Sequence, residues 1–201
     1  MELILASNNE KKLREMRAIL SEMGYTVLSQ REAGLDFVAD ETGDTFLANA
    51  RIKAQAVVDV TGKPAIADDS GLCVDALGGA PGVHSAVYGG AKCQTDQDRV
   101  AYLLENMRGI ADRRCAFHST ICLRFPDGRE MVAEGKWRGE ILENPRGDGG
   151  FGYDPVFYCP EAQKAAAEMS PTEKNALSHR GQALGEFQRN MQAIQEMDEN
   201  Q

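Results

Sequence analysis

The stretch that most constrains this chain is Pro64-Ala65-Ile66-Ala67-Asp68-Asp69-Ser70-Gly71-Leu72. Ala65 to Ala67 is a short apolar run with Gly62 and Pro64 in front of it, and it reads as a buried strand. The run leads straight into two adjacent carboxylates, so the strand is expected to close on Asp68 and Asp69. Neighbouring side chains on a strand point to opposite faces, so in a central strand the two acids cannot both be solvent decoration. In open α/β sheets ligands gather just beyond the carboxyl ends of strands. Two acidic groups at such an edge suit Mg²⁺, a hard ion that takes oxygen ligands and commonly arrives with phosphates. The same residues also fit a plain turn, opened by the aspartates and completed by Ser70-Gly71.

Elsewhere the chain reads as an ordinary globular protein. Its 201 residues, 42% hydrophobic and 26% charged, suffice for one substantial core or two lobes sharing a sheet. A net charge of −9 argues against duplex DNA as a partner, since phosphate neutralisation by Lys and Arg dominates that affinity. It leaves room for a small anion held in a local basic pocket. Five scattered cysteines without a C-x-x-C pair fit reduced thiols in a cytoplasmic protein. The opening Met1-Glu2-Leu3-Ile4-Leu5-Ala6 lacks a basic flank and is too short for a signal peptide, and no run approaches a membrane span. A tail after about Met197 is expected to lack structure.

Leu3 to Ala6 reads as a strand and Leu13, Met16, Ile19, Leu20 and Met23 as a helical stripe stopped by Gly24. Between them lies Ser7-Asn8-Asn9-Glu10-Lys11-Lys12, a loop that delivers a helix N-terminus and two ammonium groups to one spot, as an anion site requires. A simple N-cap by Ser7, Asn8 or Asn9 with solvated lysines also accounts for it, and for a lone loop of this kind it is the plainer account. Tyr25 to Leu28 suits a second strand, and a helix is expected from Thr42 or Asp44 to about Val60. Lys53 falls on the apolar side of that helix. There it either snorkels outward or needs an anionic partner, and a phosphate or Asp69 would serve. The glycine-rich segment Gly71–Gly82 is expected to break regular structure. Thr95 caps a helix running to Met107, and Cys115–Phe125 with Glu130–Trp137 forms a hairpin, with Trp137 packed under it rather than on a ligand. Gly147-Asp148-Gly149-Gly150-Phe151-Gly152-Tyr153-Asp154 is a bare-backboned loop whose rings either stack on a flat ligand or anchor the loop to the core. Ser170-Pro171-Thr172-Glu173 is a capping box, followed by Lys174, His179 and Arg180 and then an apolar stripe of Ala183, Leu184, Phe187, Met191 and Ile194.

Five of these stretches, in order over most of the chain, resemble the inosine triphosphate pyrophosphatase family and its bacterial dITP/XTP pyrophosphatases. They are Leu5–Lys12, Glu41–Phe46, Ile66–Leu72, Gly149–Pro155 and Ser178–Gly181. The resemblance implies a single-domain α/β fold: an elongated mixed sheet flanked by helices, with two lobes, a central cleft and a homodimeric state. It implies Mg²⁺-dependent hydrolysis of purine nucleoside triphosphates with a non-standard base (dITP, ITP, XTP) to monophosphate and pyrophosphate. It assigns Asp69 the catalytic and metal role, with Asp40 and Glu41 as further metal candidates. Ser70 and the Ser7–Lys12 loop take the triphosphate, while Phe151, Gly152, Tyr153, Asp154, Lys174, His179 and Arg180 take the nucleotide and base. Asp68 and Lys53 complete the catalytic candidates. The chain departs from the family pattern at Ala48 and Val87, where charged residues are usual, and in the pair Asp40-Glu41 where Glu-Glu is usual, Asp40 being the carboxylate aligned with the usual metal ligand. A pyrophosphatase for modified pyrimidines and a nucleotide-binding regulator without turnover are the rival readings; His179-Arg180 and Phe151 favour a purine.

Overall fold

The computed structural model describes residues 1–199, with side chains through residue 193. Its strands are β1 (Glu2–Leu5), β2 (Thr26–Ser29), β3 (Ala65–Val74), β4 (Arg114–Arg124), β5 (Glu130–Ile141), β6 (Phe157–Cys159) and β7 (Lys164–Ala165). Its α-helices are α1 (Glu10–Glu22), α2 (Phe46–Thr61), α3 (Asp96–Asn106), α4 (Pro171–Leu177) and α5 (His179–Glu199). The strands pair in the order β2-β1-β3-β4-β5-β6-β7. β1 runs parallel to both β2 and β3, whereas β5–β6 and β6–β7 are antiparallel, so this is an α/β fold on a mixed sheet, as expected. Among the described residues no helix is long and apolar enough to cross a membrane.

The chain divides into two compact units. One comprises Met1–Asp69, Ser119–Gly135 and the stretch from His179; the other comprises Ser70–His118 and Lys136–Ser178.

In the first unit the period-2 alternation of the strands sorts residues onto two faces. Leu3, Leu5, Ile66, Ile121, Leu123, Met131 and Ala133 pack with Leu13, Met16 and Leu20 of α1 and with Ala183, Leu184, Phe187 and Met191 of α5. The intervening residues Ile4, Ala6, Ala65, Ala67 and Cys122 meet Ala50, Ala54, Val57 and Val58 of α2. The alanines on that side let α2 approach the sheet closely. One sheet face therefore belongs to α1 and α5, the other to α2. Close approach is most demanding at Gly135 of β5, which follows Met131 and Ala133 in the row facing α5. A Cβ there would lie 1.9 Å from the His179 carbonyl oxygen and 2.6 Å from the Ala183 nitrogen, so only a glycine lets the first turn of α5 rest on the strand.

The second unit has its own core, in which Leu72, Val74, Val100, Leu103 and Met107 join Phe117, Trp137 and Phe157. Trp137 is buried in this core, its ring centroid 4.5 Å from that of Phe157 and 6.3 Å from that of Phe117.

Several boundaries differ from the sequence expectation. β3 does not close on Asp68 and Asp69 but runs on through Gly71 to Val74, because Leu72 and Val74 continue the buried alternation and hold the strand in the sheet. α2 begins at Phe46, not at Thr42 or Asp44, because the Thr45 side chain caps the Ala48 amide. β5 extends four residues beyond Trp137, to Ile141. The helix expected to carry the C-terminal stripe starts afresh at His179, and α5 is helical to Glu199, two residues into the expected tail. The rest of that tail and the Ile194 side chain lie outside the described residues.

Candidate active site

The two-face sorting of β3 decides the partners of the adjacent carboxylates. Asp68 shares the face of Ile66 and points to α1 and α5; Asp69 shares the face of Ala65 and Ala67 and points to α2. Both are buried, at 1% and 6% exposure. Asp68 Oδ1 accepts a hydrogen bond of 2.5 Å from Ser119 Oγ, and Asp68 Oδ2 accepts one of 3.0 Å from Arg180 Nη2. Lys12 Nζ stands 3.1 Å from the same Oδ2. Arg180 also donates through Nη1 to Glu15 of α1, so this guanidinium, 2% exposed, is held between two carboxylates. On the other face Lys53 Nζ donates to Asp69 Oδ1 at 2.8 Å, to the Asp68 carbonyl oxygen at 3.1 Å and to Glu41 Oε2 at 3.1 Å. Asp69 Oδ2 is buried and has no hydrogen-bond partner among the described residues.

These surroundings drive the two carboxylates apart in acidity. Burial works against ionised Asp68, but Arg180, Lys12 and the Ser119 hydroxyl outweigh it and hold its pKa well below the usual carboxylate range. For Asp69 burial prevails over the pull of Lys53 and Lys12, and its pKa rises. Burial pushes the Lys12 amine below the ordinary lysine value against the attraction of Asp68, with Lys53 and Arg180 adding to the push. In Lys53 the ion pair with Asp69 overcomes burial and keeps the ammonium charged. The outcome is one locked carboxylate and one with proton-accepting capacity, each beside a half-buried amine.

The Ser7–Lys12 loop is ordered by its own side chains. Ser7 Oγ accepts from the Asn9 amide at 3.1 Å, and Asn9 Oδ1 caps α1 by accepting from the Lys11 and Lys12 amides at 3.0 and 3.2 Å. Of the three candidate caps, Asn9 is the one used. Asn8 Nδ2 donates instead to the Phe37 carbonyl oxygen at 3.3 Å, tying the loop to the segment that carries Asp40 and Glu41. Glu10 and Lys11 are exposed at the start of α1, and Lys12 turns inward to Asp68.

Among the metal candidates, Glu41 meets Asp69 through their common partner Lys53, whereas Asp40 is exposed and its carbonyl oxygen accepts from the Thr42 amide. Among the described residues no three His, Cys, Asp or Glu side chains gather as a metal cluster. The donor chemistry nonetheless suits a hard cation. Asp69 offers an unengaged buried oxygen with the Glu41 carboxylate close by, and such an ion completes its shell with water and phosphate oxygens.

In the second unit, Asp154 organises the glycine loop. Its Oδ2 accepts from the Phe151 amide at 2.8 Å and from Lys174 Nζ at 2.7 Å, and that ammonium lies 4.9 Å from the Phe151 ring centroid. Gly150 has φ +70°, and a Cβ on it would fall 2.0 Å from Asp154 Oδ2. The Gly152 amide donates to Asp96 Oδ2 at 2.9 Å. Tyr153 is an anchor and not a stacking platform: it is 4% exposed, with its hydroxyl donating to the Ser85 carbonyl oxygen at 2.8 Å. Ser70 is half-buried on β3. The boundary between the units falls between Ser178 and His179, so Lys174 belongs to the second unit and the buried His179 and Arg180 to the first.

Sequence reasoning missed Ser119, Glu15, Asp96 and Gly135. Ser119 had a faint signal, since it is the polar member of an every-second-residue row continued by Ile121 and Leu123.

The mixed α/β sheet thus presents one buried carboxylate on each face of β3, each paired with a half-buried ammonium from α1 or α2. Residues 3–190 match the sequence model of the Ham1 family, and the chain belongs to that family. It is 49% identical over 185 residues to the dITP/XTP pyrophosphatase of Shigella flexneri, covering 90% of this chain and 93% of that one. It is 50% identical over 186 residues to the dITP/XTP pyrophosphatase of Thermus thermophilus, covering 92% and 88%. Among solved structures, the HAM1 protein from Coxiella burnetii superposes with a TM-score of 0.87 at 43% identity, over 96% of this chain and 99% of that one. The Staphylococcus aureus Ham1 protein does so with a TM-score of 0.86 at 38% identity, over 96% and 100%.

Proposed function

We propose that this protein hydrolyses purine nucleoside triphosphates with a non-standard base, dITP, XTP and ITP, to the monophosphate and pyrophosphate, and that it does so with Mg²⁺. Relatives near 50% identity carry the dITP/XTP pyrophosphatase name over nearly their full length, which supports the reaction class. The observation that carries the reading is Asp69, a buried carboxylate with one oxygen on Lys53 and the other unengaged among the described residues.

Cleavage between the α- and β-phosphates needs an oriented water and relief of the charge that builds on departing pyrophosphate. Asp69, its pKa raised by burial, accepts a hydrogen bond from the attacking water and takes its proton. Lys12 and Lys53 supply positive charge to the phosphate oxygens. A bound Mg²⁺, held by Asp69 with Glu41, would contribute Lewis-acid charge stabilisation at those oxygens. Asp68, saturated by Ser119, Arg180 and Lys12, is a fixed counter-charge and takes no proton. Arg180 is committed to Glu15 and Asp68, and we assign it to holding that counter-charge, not to reading the base.

The Ser7–Asn9 turn and Ser70 take phosphate contacts, and Phe151 to Asp154, Lys174 and His179 the nucleoside. A 6-oxo base accepts hydrogen bonds where adenine donates, so donors facing that position would leave adenine unpaired at about 1–3 kcal/mol per buried group. We further propose a single functional domain acting as a homodimer in the cytoplasm.

The test is a Mg²⁺ turnover panel of dITP, XTP, dGTP and dATP with pyrophosphate and orthophosphate measured separately. Pyrophosphate from the first two is expected, and Asp69→Asn should abolish it while the unfolding transition stays cooperative. Orthophosphate as the product, or full activity in Asp69→Asn, overturns the reading.

A further inference from the structure

We propose that Ser119 is a positioning residue for this hydrolysis: its hydroxyl fixes the angle at which the Asp68 carboxylate is presented to Lys12, and so fixes where the Lys12 ammonium meets the phosphates. The proposal rests on the pyrophosphatase reading above.

Ser119 occupies the row of β4 that continues as Ile121 and Leu123, both fully buried against α1 and α5. Core logic alone would place an apolar residue there, since a hydroxyl 1% exposed is costly unless it is used. It is used at 2.5 Å, on Asp68 Oδ1. The other oxygen, Oδ2, serves two cations at once, Arg180 Nη2 at 3.0 Å and Lys12 Nζ at 3.1 Å. A carboxylate can turn about its Cβ–Cγ bond, and with two cations sharing one of its oxygens nothing in their charge selects a single angle for its plane. A short hydrogen bond from a rigid strand does select one. Arg180 is tethered independently through Glu15, so the group whose place depends most on that orientation is Lys12, at the end of a flexible stem.

A displaced ammonium still attracts a triphosphate, because that attraction is long-range. It stabilises less well the particular oxygen on which charge grows during bond breaking, and that loss falls on kcat and not on KM.

The experiment measures dITP turnover with Mg²⁺ for wild type, Ser119→Ala, Ser119→Thr, Lys12→Gln and the Ser119→Ala/Lys12→Gln double variant, with urea unfolding of each. Losing a hydrogen bond to a charged group predicts a roughly tenfold fall in kcat for Ser119→Ala with KM within about twofold. Ser119→Thr, which keeps the hydroxyl, should restore most of it. In the Lys12→Gln background, Ser119→Ala should change kcat by less than about twofold, since the group through which it acts is gone. Wild-type kcat in Ser119→Ala overturns the proposal, as does an equal fractional loss in both backgrounds, the pattern of a merely structural residue. Should Ser119→Thr unfold early, the comparison of the two Ser119→Ala backgrounds still decides. A wild type that releases no pyrophosphate sinks the pyrophosphatase reading itself, a result distinct from either of these.

Discussion

Replacing Gly135 with alanine adds one methyl group at the point where α5 touches the sheet. The new carbon would begin 1.9 Å from the His179 carbonyl oxygen and 2.6 Å from the Ala183 nitrogen, both backbone atoms that no rotamer change can move. Reaching an ordinary contact of 3.4 Å requires the first turn of α5 to retreat by roughly 1.5 Å. Arg180 rides on that turn and now donates to Asp68 at 3.0 Å, so the same retreat carries it beyond hydrogen-bond range. Overpacking costs about 1–3 kcal/mol, and a fully severed buried ion pair about 3–5 kcal/mol; with Lys12 and Ser119 still on Asp68, a net loss of about 2–4 kcal/mol follows. Urea unfolding followed by circular dichroism measures the stability, and dITP turnover in native buffer measures the site. The expected result is a lowered midpoint with an unchanged m-value, together with at least a tenfold fall in kcat. A variant within about 0.5 kcal/mol of wild type and fully active would refute the close-approach argument, because it would mean that α5 does not set the position of Arg180.

Two further outcomes follow from the same network. Lys53 holds Asp69 Oδ1 and Glu41 Oε2 and puts a positive charge beside the unengaged Asp69 Oδ2, so Lys53→Met should bind Mn²⁺ in the absence of nucleotide at least about tenfold more tightly, equivalent to only ~1.4 kcal/mol of relieved repulsion; titration followed by electron paramagnetic resonance measures this, and unchanged or weaker binding counts against the shared position. Asp68 has a folded pKa depressed below the unfolded value near 3.9, so its stabilisation is complete above that value and is lost as pH falls through the folded pKa. Urea unfolding between pH 5 and pH 2 should therefore show a flatter pH dependence in Asp68→Asn than in wild type, and parallel curves would contradict the assignment.

Local signals were read well from the sequence. The Thr95 cap, the Ser170 capping box with Pro171 and the hairpin around Pro126-Asp127-Gly128 depend on neighbours within a few residues, and each stands where the pattern put it. The strongest inference about the site was also local, since alternation alone required Asp68 and Asp69 to face different ways. Tertiary context decided the rest. Gly71 looked like a strand end, yet the cores that receive Leu72 and Val74 carry β3 past it. Asp40 and Glu41 are indistinguishable by composition, and only the path of the loop, pinned at the Phe37 carbonyl by Asn8 and Gln30, brings Glu41 to Lys53. Ser119 lies 51 positions from Asp68, and Glu15 lies 165 from Arg180, separations at which periodicity carries no information. Loops and cores use the same aromatic residues, so sequence alone leaves Tyr153 between platform and anchor; its place in the core and its hydroxyl's bond to Ser85 depend on residues far along the chain.

The opposed orientation of residues 68 and 69 also limits how this gene can change. Adding a single codon between Ala65 and Asp68 would invert every later side chain of that strand, turning Asp68 toward Lys53 and leaving Arg180 opposite a residue without a carboxylate, while deleting one would put Asp69 before Arg180 and leave Lys53 facing Ser70. Length variation among relatives should accordingly collect in the connecting loops and spare this short segment, and an insertion library across the chain would find its least forgiving positions there.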